Sequence, residues 1–227
     1  MNEYVKEGKK FLISIENYFK TFEVVTGYNF MSVLRKDVGI PANTPDPVQI
    51  IDSLDMFKHT GGEDLILYLR GQKGFDGYCT FLNSDGKVSD PHLRVFISNM
   101  GAWQITLLLV LCEHIMPVYW HACYKEWQPI FTDLDLQNLR NTECRYSHFM
   151  RKTYDFLPKD LPTEPSVVQI EEGRMYQTIF YVWSDFGGYL KIVSTITFPK
   201  GAFATVQDID IKTEVVKIVP YRAMVLL

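Results

Sequence analysis

Two alternating apolar segments near the C-terminus constrain the fold of this chain more than any other feature. Residues 175–183 read MYQTIFYVW and residues 189–198 read YLKIVSTITF, and both are rich in β-branched and aromatic side chains. The short sequence SDFGG separates them, which is typical of an antiparallel hairpin. After a turn at FPKGA, further strands are predicted at 203–212 and 214–219. We therefore predict an antiparallel β-meander within residues 166–227.

The N-terminal residues, 1–62, have the periodicity of helices instead. A first helix, ending near Thr26–Gly27, carries a stripe of apolar residues at steps of three and four: Phe11, Leu12, Ile15, Tyr18, Phe19 and Phe22. A second helix is predicted with Asp46 as its N-cap and Pro47 at its first position, ending at Gly61–Gly62. Its apolar residues are Val48, Ile51, Leu54 and Phe57.

The central residues, 63–157, mix the two patterns. In chain order they predict strands at 64–70, 78–83 and 93–99, a helix at 102–113, a strand at 117–124 and a polar helix within 134–157. The glycines of GQKGFDG do not form a phosphate-binding loop, because a strand-like run follows them where such a loop needs a helix. Prolines at 158, 162 and 165 mark a linker-like stretch. The predicted fold class is α+β, with N-terminal amphipathic helices, a mixed α/β centre and a C-terminal antiparallel β region in one compact unit.

Composition excludes several classes of function. Hydrophobic residues make up 47% of the 227 residues, and the formal net charge is −4, so we expect a folded protein that does not bind nucleic acid. The N-terminal sequence has no apolar core of a secretory signal, and the four cysteines are too sparse for a disulfide framework. We therefore expect an intracellular, cytoplasmic protein or a part of an assembled particle.

Residues 95–112 contain no charged side chain and raise the question of a membrane segment. Polar residues interrupt the stretch, and its strongly apolar part, ITLLLVL, is too short to cross a bilayer. A buried core helix or strand is the preferred interpretation. Peripheral membrane association through this segment is a further hypothesis, which requires the segment to be exposed.

The sequence LCEHIMPVYWHAC, residues 111–123, is nearly symmetrical about its centre. A hairpin there would place Cys112 opposite Cys123 and His114 opposite His121, and two thiolates with two imidazoles suit tetrahedral zinc. The centre of the segment, however, lacks the Gly, Asn or Asp of a tight hairpin, and a helix through His114 would point it about 200° away from Cys112. The sequence therefore predicts a candidate metal site at these four residues and leaves open that they are partly buried Cys and His of an apolar lobe.

The chain has no Gly-x-Ser-x-Gly, Walker or His-Glu-x-x-His motif. Many aromatic residues, a meander with an open edge and the apolar C-terminal sequence VPYRAMVLL favour contact with other proteins. We therefore predict a non-enzymatic structural or protein-interaction subunit of a larger assembly, such as a viral or phage particle, with other copies or other proteins as partners and no cofactor. The alternative is a small metal-dependent enzyme or zinc-stabilised protein built on Cys112, His114, His121 and Cys123, with Glu113 as a proton carrier.

Overall fold

The structure is a computed structural model, and it describes most of the chain. The described residues are 2–27, 45, 48–59, 66–71, 77–82, 93–112, 114–115, 127–142, 144–147, 150–152, 154, 156–185 and 187–221. They contain a long N-terminal helix, shorter helices and antiparallel sheets, which confirms the predicted α+β class. The predicted strand at 117–124 and most of the C-terminal VPYRAMVLL lie outside the described residues.

The helices and strands have the following bounds. The helices are α1 (Glu3–Thr26), α2 (Val48–Ile51), α3 (Asn99–Ile105), which continues as a π-helical segment (Thr106–Leu111), and α4 (Asp133–Asn141). The strands of the first half are β1 (Phe57–His59), β2 (Ile66–Gly71), β3 (Gly77–Leu82), β4 (Leu93–Phe96) and β5 (Gln128–Ile130). Those of the second half are β6 (Cys144–Ser147), β7 (Met150–Lys152), β8 (Ser166–Glu171), β9 (Met175–Ser184), β10 (Gly188–Thr197), β11 (Phe203–Thr205) and β12 (Asp210–Pro220).

Helix α1 forms as its apolar stripe predicts. The Asn2 side chain caps the first turn by accepting a hydrogen bond from the Tyr4 amide, and Gly27 ends the helix with a φ of 71°. A left-handed C-terminal residue of this kind is usually glycine, because glycine has no Cβ to clash. The buried face follows the predicted period and includes Phe11, Ile15, Tyr18 and Phe22. The helix therefore presents one continuous apolar stripe to the core.

The prediction of a long second helix is wrong. Helix α2 ends at Ile51, and the chain turns before Phe57 begins β1. Leu54 and Phe57 are buried as their spacing suggests, but Phe57 is opposite Val95 in an antiparallel pair with β4. The pairing with β4 supplies a partner strand from a distant part of the chain, and this outweighs the local helical period. Asp46 and Pro47 lie outside the described residues.

The central region confirms one prediction and corrects another. Strands β2 and β3 pair antiparallel from Ile66 opposite Leu82 to Gly71 opposite Gly77, so the predicted hairpin is confirmed. The predicted polar helix within 134–157 is mostly wrong, because α4 ends at Asn141 and residue Thr142 has an extended ψ of 122°. Strands β6 and β7 follow and pair with each other.

The largest sheet among the described residues has the order β12-β10-β9-β5, and β8 also pairs with β9. The predicted hairpin of β9 and β10 is confirmed, with Gly188 opposite Ser184 and Thr197 opposite Met175. The two further strands of the meander are placed differently. Strand β11 leaves this sheet and pairs with β4, while β12 runs alone along β10 as one long strand. A short 3₁₀ turn at Val206–Asp208 separates the two, and Val206 and Ala204 are buried there.

The uncharged segment 95–112 forms part of the core. It comprises the end of β4, α3 and the π-helical segment, and Trp103, Ile105 and Leu107 in it are fully buried. The Thr106 and Thr178 hydroxyls lie 2.8 Å apart in a buried hydrogen bond, which fixes the helix against β9. The segment is therefore the predicted core helix, and the hypothesis that it is exposed for membrane association is wrong. Among the described residues no helix is long and apolar enough to cross a membrane.

A second apolar cluster lies on the opposite face of the large sheet from the main core. Its members include Ile130, Leu136, Tyr154, Leu157, Leu161, Trp183 and Tyr189. Asp185, which is 2% exposed, accepts hydrogen bonds from the Tyr154 hydroxyl at 2.9 Å and from Trp183 Nε1 at 3.0 Å. Burial raises the pKa of Tyr189 well above its usual range, so its hydroxyl stays protonated and donates to the Pro162 carbonyl. The linker-like proline stretch is therefore packed against this cluster.

A buried polar chain joins α1 to α3. Gln104 is fully buried; its Oε1 accepts from the Met56 amide at 2.9 Å and its Nε2 donates to Glu7 Oε2 at 3.1 Å. Lys10 Nζ lies 3.2 Å from Glu7 Oε1 and 2.9 Å from Asp55 Oδ1. These polar contacts connect the N-terminal helix, the turn before β1 and the core helix through the buried amide of Gln104.

Replacing Gln104 with leucine tests this connection. The change leaves the Met56 amide and a Glu7 oxygen without the partner that Gln104 supplies, so we expect a loss of about 2 kcal/mol or more in the free energy of unfolding. Lys10→Ala is the control, because its ion pairs are partly exposed and contribute less than about 1 kcal/mol. Urea unfolding followed by circular dichroism measures both variants. Equal losses in the two would contradict the role of the buried amide.

Candidate functional site

The structure describes half of the predicted metal site. Cys112 follows the π-helical segment, is 6% exposed and belongs to the main core, and its amide donates to the Leu107 carbonyl. His114 is half-buried, and its ring stacks on the Trp127 ring with centroids 3.8 Å apart. The Trp127 amide also donates to the His114 carbonyl. Both residues therefore have a packing role at the point where the core helix ends.

His121 and Cys123 lie outside the described residues, as does Glu113. Within the part of the chain that the structure describes, no three His, Cys, Asp or Glu side chains come together in a way that could hold a metal ion. The zinc site at Cys112, His114, His121 and Cys123 therefore remains a prediction of the sequence.

The acidic residues at the start of α4 hold the helix in place. Thr132 is the N-cap, and Asp135 at the third helical position accepts hydrogen bonds from the Phe131 amide and the Thr132 hydroxyl. The Thr132 hydroxyl oxygen in turn accepts from the Asp135 amide at 3.3 Å. The two residues therefore cap each other as in a capping box, but the carboxylate accepts from the Phe131 amide in place of the N-cap amide. Lys9 of α1 approaches Asp135 at 3.3 Å, and Asp133 accepts from the Thr163 hydroxyl at 2.8 Å. These carboxylates are engaged in tertiary structure.

A surface cleft of about 510 Å³ lies beside α4. The residues that line it are Asp133, Leu136, Gln137, Arg140, Asn141 and Lys159. Small-molecule sites usually have mainly apolar walls with a few polar groups. Because this lining is mostly polar and of mixed charge, the cleft does not favour small-molecule binding.

Strand β12 presents a long exposed edge. It pairs with β10 on one side, and on its other side no strand of the described chain pairs with it. Most of its residues are exposed, and Val215 and Val216 are 46% and 39% exposed. An edge strand of this length leaves a row of backbone N–H and C=O groups that another strand can pair with. We refer to the outer side of β12, residues 210–217, as the β12 edge.

The register with β10 assigns each β12 side chain to a side of the sheet. Val215 is opposite Ile192, Thr213 opposite Ser194 and Ile211 opposite Ile196. The three β10 residues are fully buried on the side that packs against α3. The helix-facing side of the sheet therefore extends to Ile211, Thr213 and Val215. These three side chains are only partly covered, unlike their neighbours on β10.

On the opposite face of the sheet the β12 edge carries Asp210, Lys212 and Glu214, with Val216 beside them. Lys212 and Glu214 alternate with the apolar residues and therefore project from the other side of the sheet. Lys212 Nζ lies 3.7 Å from Asp210 Oδ2, and both side chains are well exposed. The Thr213 hydroxyl shares a hydrogen bond of 3.1 Å with the Ser194 hydroxyl, which anchors the middle of the strand. The β12 edge thus has a mainly apolar face toward the helices and a mainly charged face on the other side of the sheet.

Exposed apolar side chains also lie on the strands β4, β11 and β8. Phe96 of β4 and Phe203 of β11 are directly opposite, each 41% exposed, with ring centroids 5.3 Å apart and Lys58 Nζ 5.3 Å from the Phe203 centroid. In β8, Val168 and Ile170 are 53% and 55% exposed. These features add apolar surface at β4 and β8.

Sequence reasoning anticipated an open edge in the meander but not which residues form it. The sequence DIKTEVVKIVP carries the signal, because charged and β-branched residues alternate through 210–215, but its pattern predicts two strands where the structure has one. Fold and surface together define an α+β protein with a long exposed sheet edge. Comparison of the chain with protein-family models, curated proteins and solved structures found no match.

Proposed function

We propose that this protein is a non-enzymatic interaction subunit that joins other protein subunits through the exposed edge of its large sheet. The observation that carries the proposal is the β12 edge. Val215 and Val216 are exposed there, and residues 210–217 form a regular strand whose outer side pairs with no strand of the described chain. Addition of a strand to such an edge is a common mode of protein recognition, because main-chain hydrogen bonds supply affinity and alternate side chains supply specificity.

The arrangement of polar groups supports the same proposal. Buried acidic and amide side chains such as Asp185 and Gln104 each connect elements of the core, and the carboxylates of α4 cap that helix. Among the described residues, six exposed large apolar side chains, by contrast, lie on the strands β4, β8, β11 and β12, and the others lie on α1, on α4 and at Phe156. Surfaces of this kind mark contacts with other proteins more often than they mark catalytic clefts.

Native mass spectrometry of the full chain, purified without chelator, tests the proposed function, because one spectrum reports both subunit number and bound metal. We expect metal-free oligomers of defined size whose abundance rises with protein concentration. A monomer at every concentration would contradict the proposal. A mass increment of one zinc ion that disappears in Cys112→Ser would instead support the metal-dependent alternative.

A further inference from the structure

The structure also points to the identity of the partner, an inference that rests on the proposed function. We propose that the β12 edge pairs with the β12 edge of a second copy of this chain, antiparallel, about a two-fold axis through Thr213. The two large sheets then form one continuous sheet across the dimer.

The regular part of β12 limits where a partner strand can lie. Pairing with β10 is regular from Asp210 to Lys217, and the register shifts between Lys217 and Val219. Pro220 has no N–H to donate. A partner strand is therefore accommodated best along residues 210–217, whose middle lies at Thr213 and Glu214.

Symmetry restricts the choice of register. In a continuous antiparallel sheet the two-fold axis is perpendicular to the sheet, so each side chain of one copy points to the same side as its counterpart in the other. Residues directly opposite each other also share a side. Both conditions hold only when the axis passes through a residue and not between two residues.

A register centred on Thr213 pairs complementary side chains on both faces of the sheet next to the axis, and its outermost pair is Asp210 with Val216. On the charged side, Lys212 of each copy is opposite Glu214 of the other, which creates two complementary ion pairs. On the helix-facing side, Ile211 of each copy is opposite Val215 of the other, so the half-covered apolar residues cover one another. The Thr213 side chains meet at the axis, where each is already held by Ser194 of its own chain.

Neighbouring registers are less favourable for electrostatic reasons. An axis through Lys212 or Glu214 places identical charges directly opposite each other, which destabilises a strand pair. An axis through Val215 places Lys212 opposite Ile218 and Glu214 opposite Val216. An axis through Ile211 leaves Val215 beyond the strand of the partner. Charged residues on an edge strand generally oppose non-specific pairing with other strands. Here the same charges favour one register of the pair.

The contact is expected to be a reversible one. A single strand pair is small, and interfaces below about 1,200 Å² are typical of weak and transient complexes. Each cross-strand pair contributes modestly, so removal of both ion pairs affects the dimer without affecting the fold of the monomer. We therefore expect a monomer–dimer equilibrium that shifts toward dimer as the concentration rises.

Charge reversal on the β12 edge tests the register. Lys212→Glu places glutamate opposite Glu214 twice, and Glu214→Lys places lysine opposite Lys212 twice. Each change is expected to raise the dimer dissociation constant about tenfold or more, because two attractive pairs become repulsive. The double variant restores both pairs in reversed order and should regain the wild-type constant. Sedimentation velocity over a concentration series measures the constant, and circular dichroism shows that each variant is folded.

Lys217→Glu is the matched control, since it changes the same charge on the same strand outside the proposed pairs. It should leave the dissociation constant unchanged. The pairing proposal is overturned if the double variant stays as weak as the single variants, or if Lys217→Glu weakens the dimer equally. It is also overturned if Ile170→Lys in β8 dissociates the oligomer while the β12 variants do not. In the first two cases the oligomer still depends on β12 and the proposed function stands. Dissociation by Ile170→Lys alone contradicts the use of the β12 edge as well, and a wild-type monomer contradicts the interaction role itself.

Discussion

We expect Trp103→Ala to lower the free energy of unfolding strongly, and only Gly188→Ala should have an effect of similar size. Trp103 is fully buried, and its ring makes edge contacts with Tyr4, Phe131 and Phe180 at centroid distances of 6.2, 5.9 and 5.9 Å. Tyr4 lies in α1, Phe131 directly follows β5 and Phe180 lies in β9, so one side chain connects three parts of the core. Truncation leaves a large cavity where these parts meet.

The expected loss is about 3–5 kcal/mol in the free energy of unfolding, the usual range for deletion of a buried tryptophan side chain. Trp103 Nε1 also donates to the Tyr4 carbonyl at 2.9 Å, and this hydrogen bond disappears with it. Because domains are stable by only about 5–15 kcal/mol, the variant should unfold at a much lower denaturant concentration. Guanidinium unfolding followed by circular dichroism measures the change.

Trp103→Phe separates the two contributions. It keeps most of the ring contacts and removes the donor to Tyr4, so we expect a loss clearly smaller than that of Trp103→Ala. If alanine and phenylalanine proved equally destabilising, the hydrogen bond and not the packing would dominate at this position. A loss below about 1 kcal/mol for alanine would contradict the central place of Trp103 in the core.

Gly188→Ala is the second substitution with a large expected effect. Gly188 begins β10 with a φ of 95°, a backbone conformation that residues with a Cβ rarely adopt. An added Cβ would overlap the carbonyl oxygen of Val219 and lie 2.6 Å from the Tyr221 amide nitrogen. Both are backbone atoms next to the C-terminal end of β12, and no side-chain rotation can relieve the contact.

We expect Gly188→Ala to cost about 2–6 kcal/mol in the free energy of unfolding, since backbone strain of about 1–3 kcal/mol adds to overpacking of about 1–3 kcal/mol. Gly173→Ala is the matched control. Gly173 also has a positive φ, of 61°, but nothing lies within 4 Å of an added Cβ. Its expected loss is about 1–2 kcal/mol, from strain alone. Equal losses in the two variants would show that the close approach of β12 to Gly188 contributes nothing.

The proposed dimer makes the Gly188 substitution informative beyond stability. Gly188 pairs with Pro220 at the end of β12 where the register shifts, outside the Asp210–Lys217 stretch of the β12 edge. A folded fraction of Gly188→Ala should therefore keep the dimer dissociation constant of the wild type. The same unfolding and sedimentation measurements report both properties.

Local sequence pattern determined the type of the strongest elements. The three-and-four spacing of apolar residues in α1 and the alternation in β9 and β10 each place their apolar side chains on one face in only one type of secondary structure. The end of α1 was also predictable, because Gly27 has the conformational freedom that a left-handed helix end requires. The charge-free core helix followed from the short length of its apolar run.

The tertiary structure decided which strands pair with each other. Phe57 has the spacing of a helical residue and forms β1 because β4 provides a partner strand. Residues 203–205 have the pattern of a meander strand, yet they pair with β4, and this leaves β12 at the end of the sheet. For the candidate site, the sequence singled out Cys112 and His114, whereas the exposed residues of the β12 edge emerged from strand order.

The sequence by itself determined which faces of α1, α3, β9 and β10 are apolar, because that information is local and repeats with the period of each element. Only the tertiary structure decided which strand lies beside which, because pairing depends on residues far apart in the chain. That choice leaves Val215 and Val216 at an exposed edge and places Lys212 and Glu214 where a second copy can meet them.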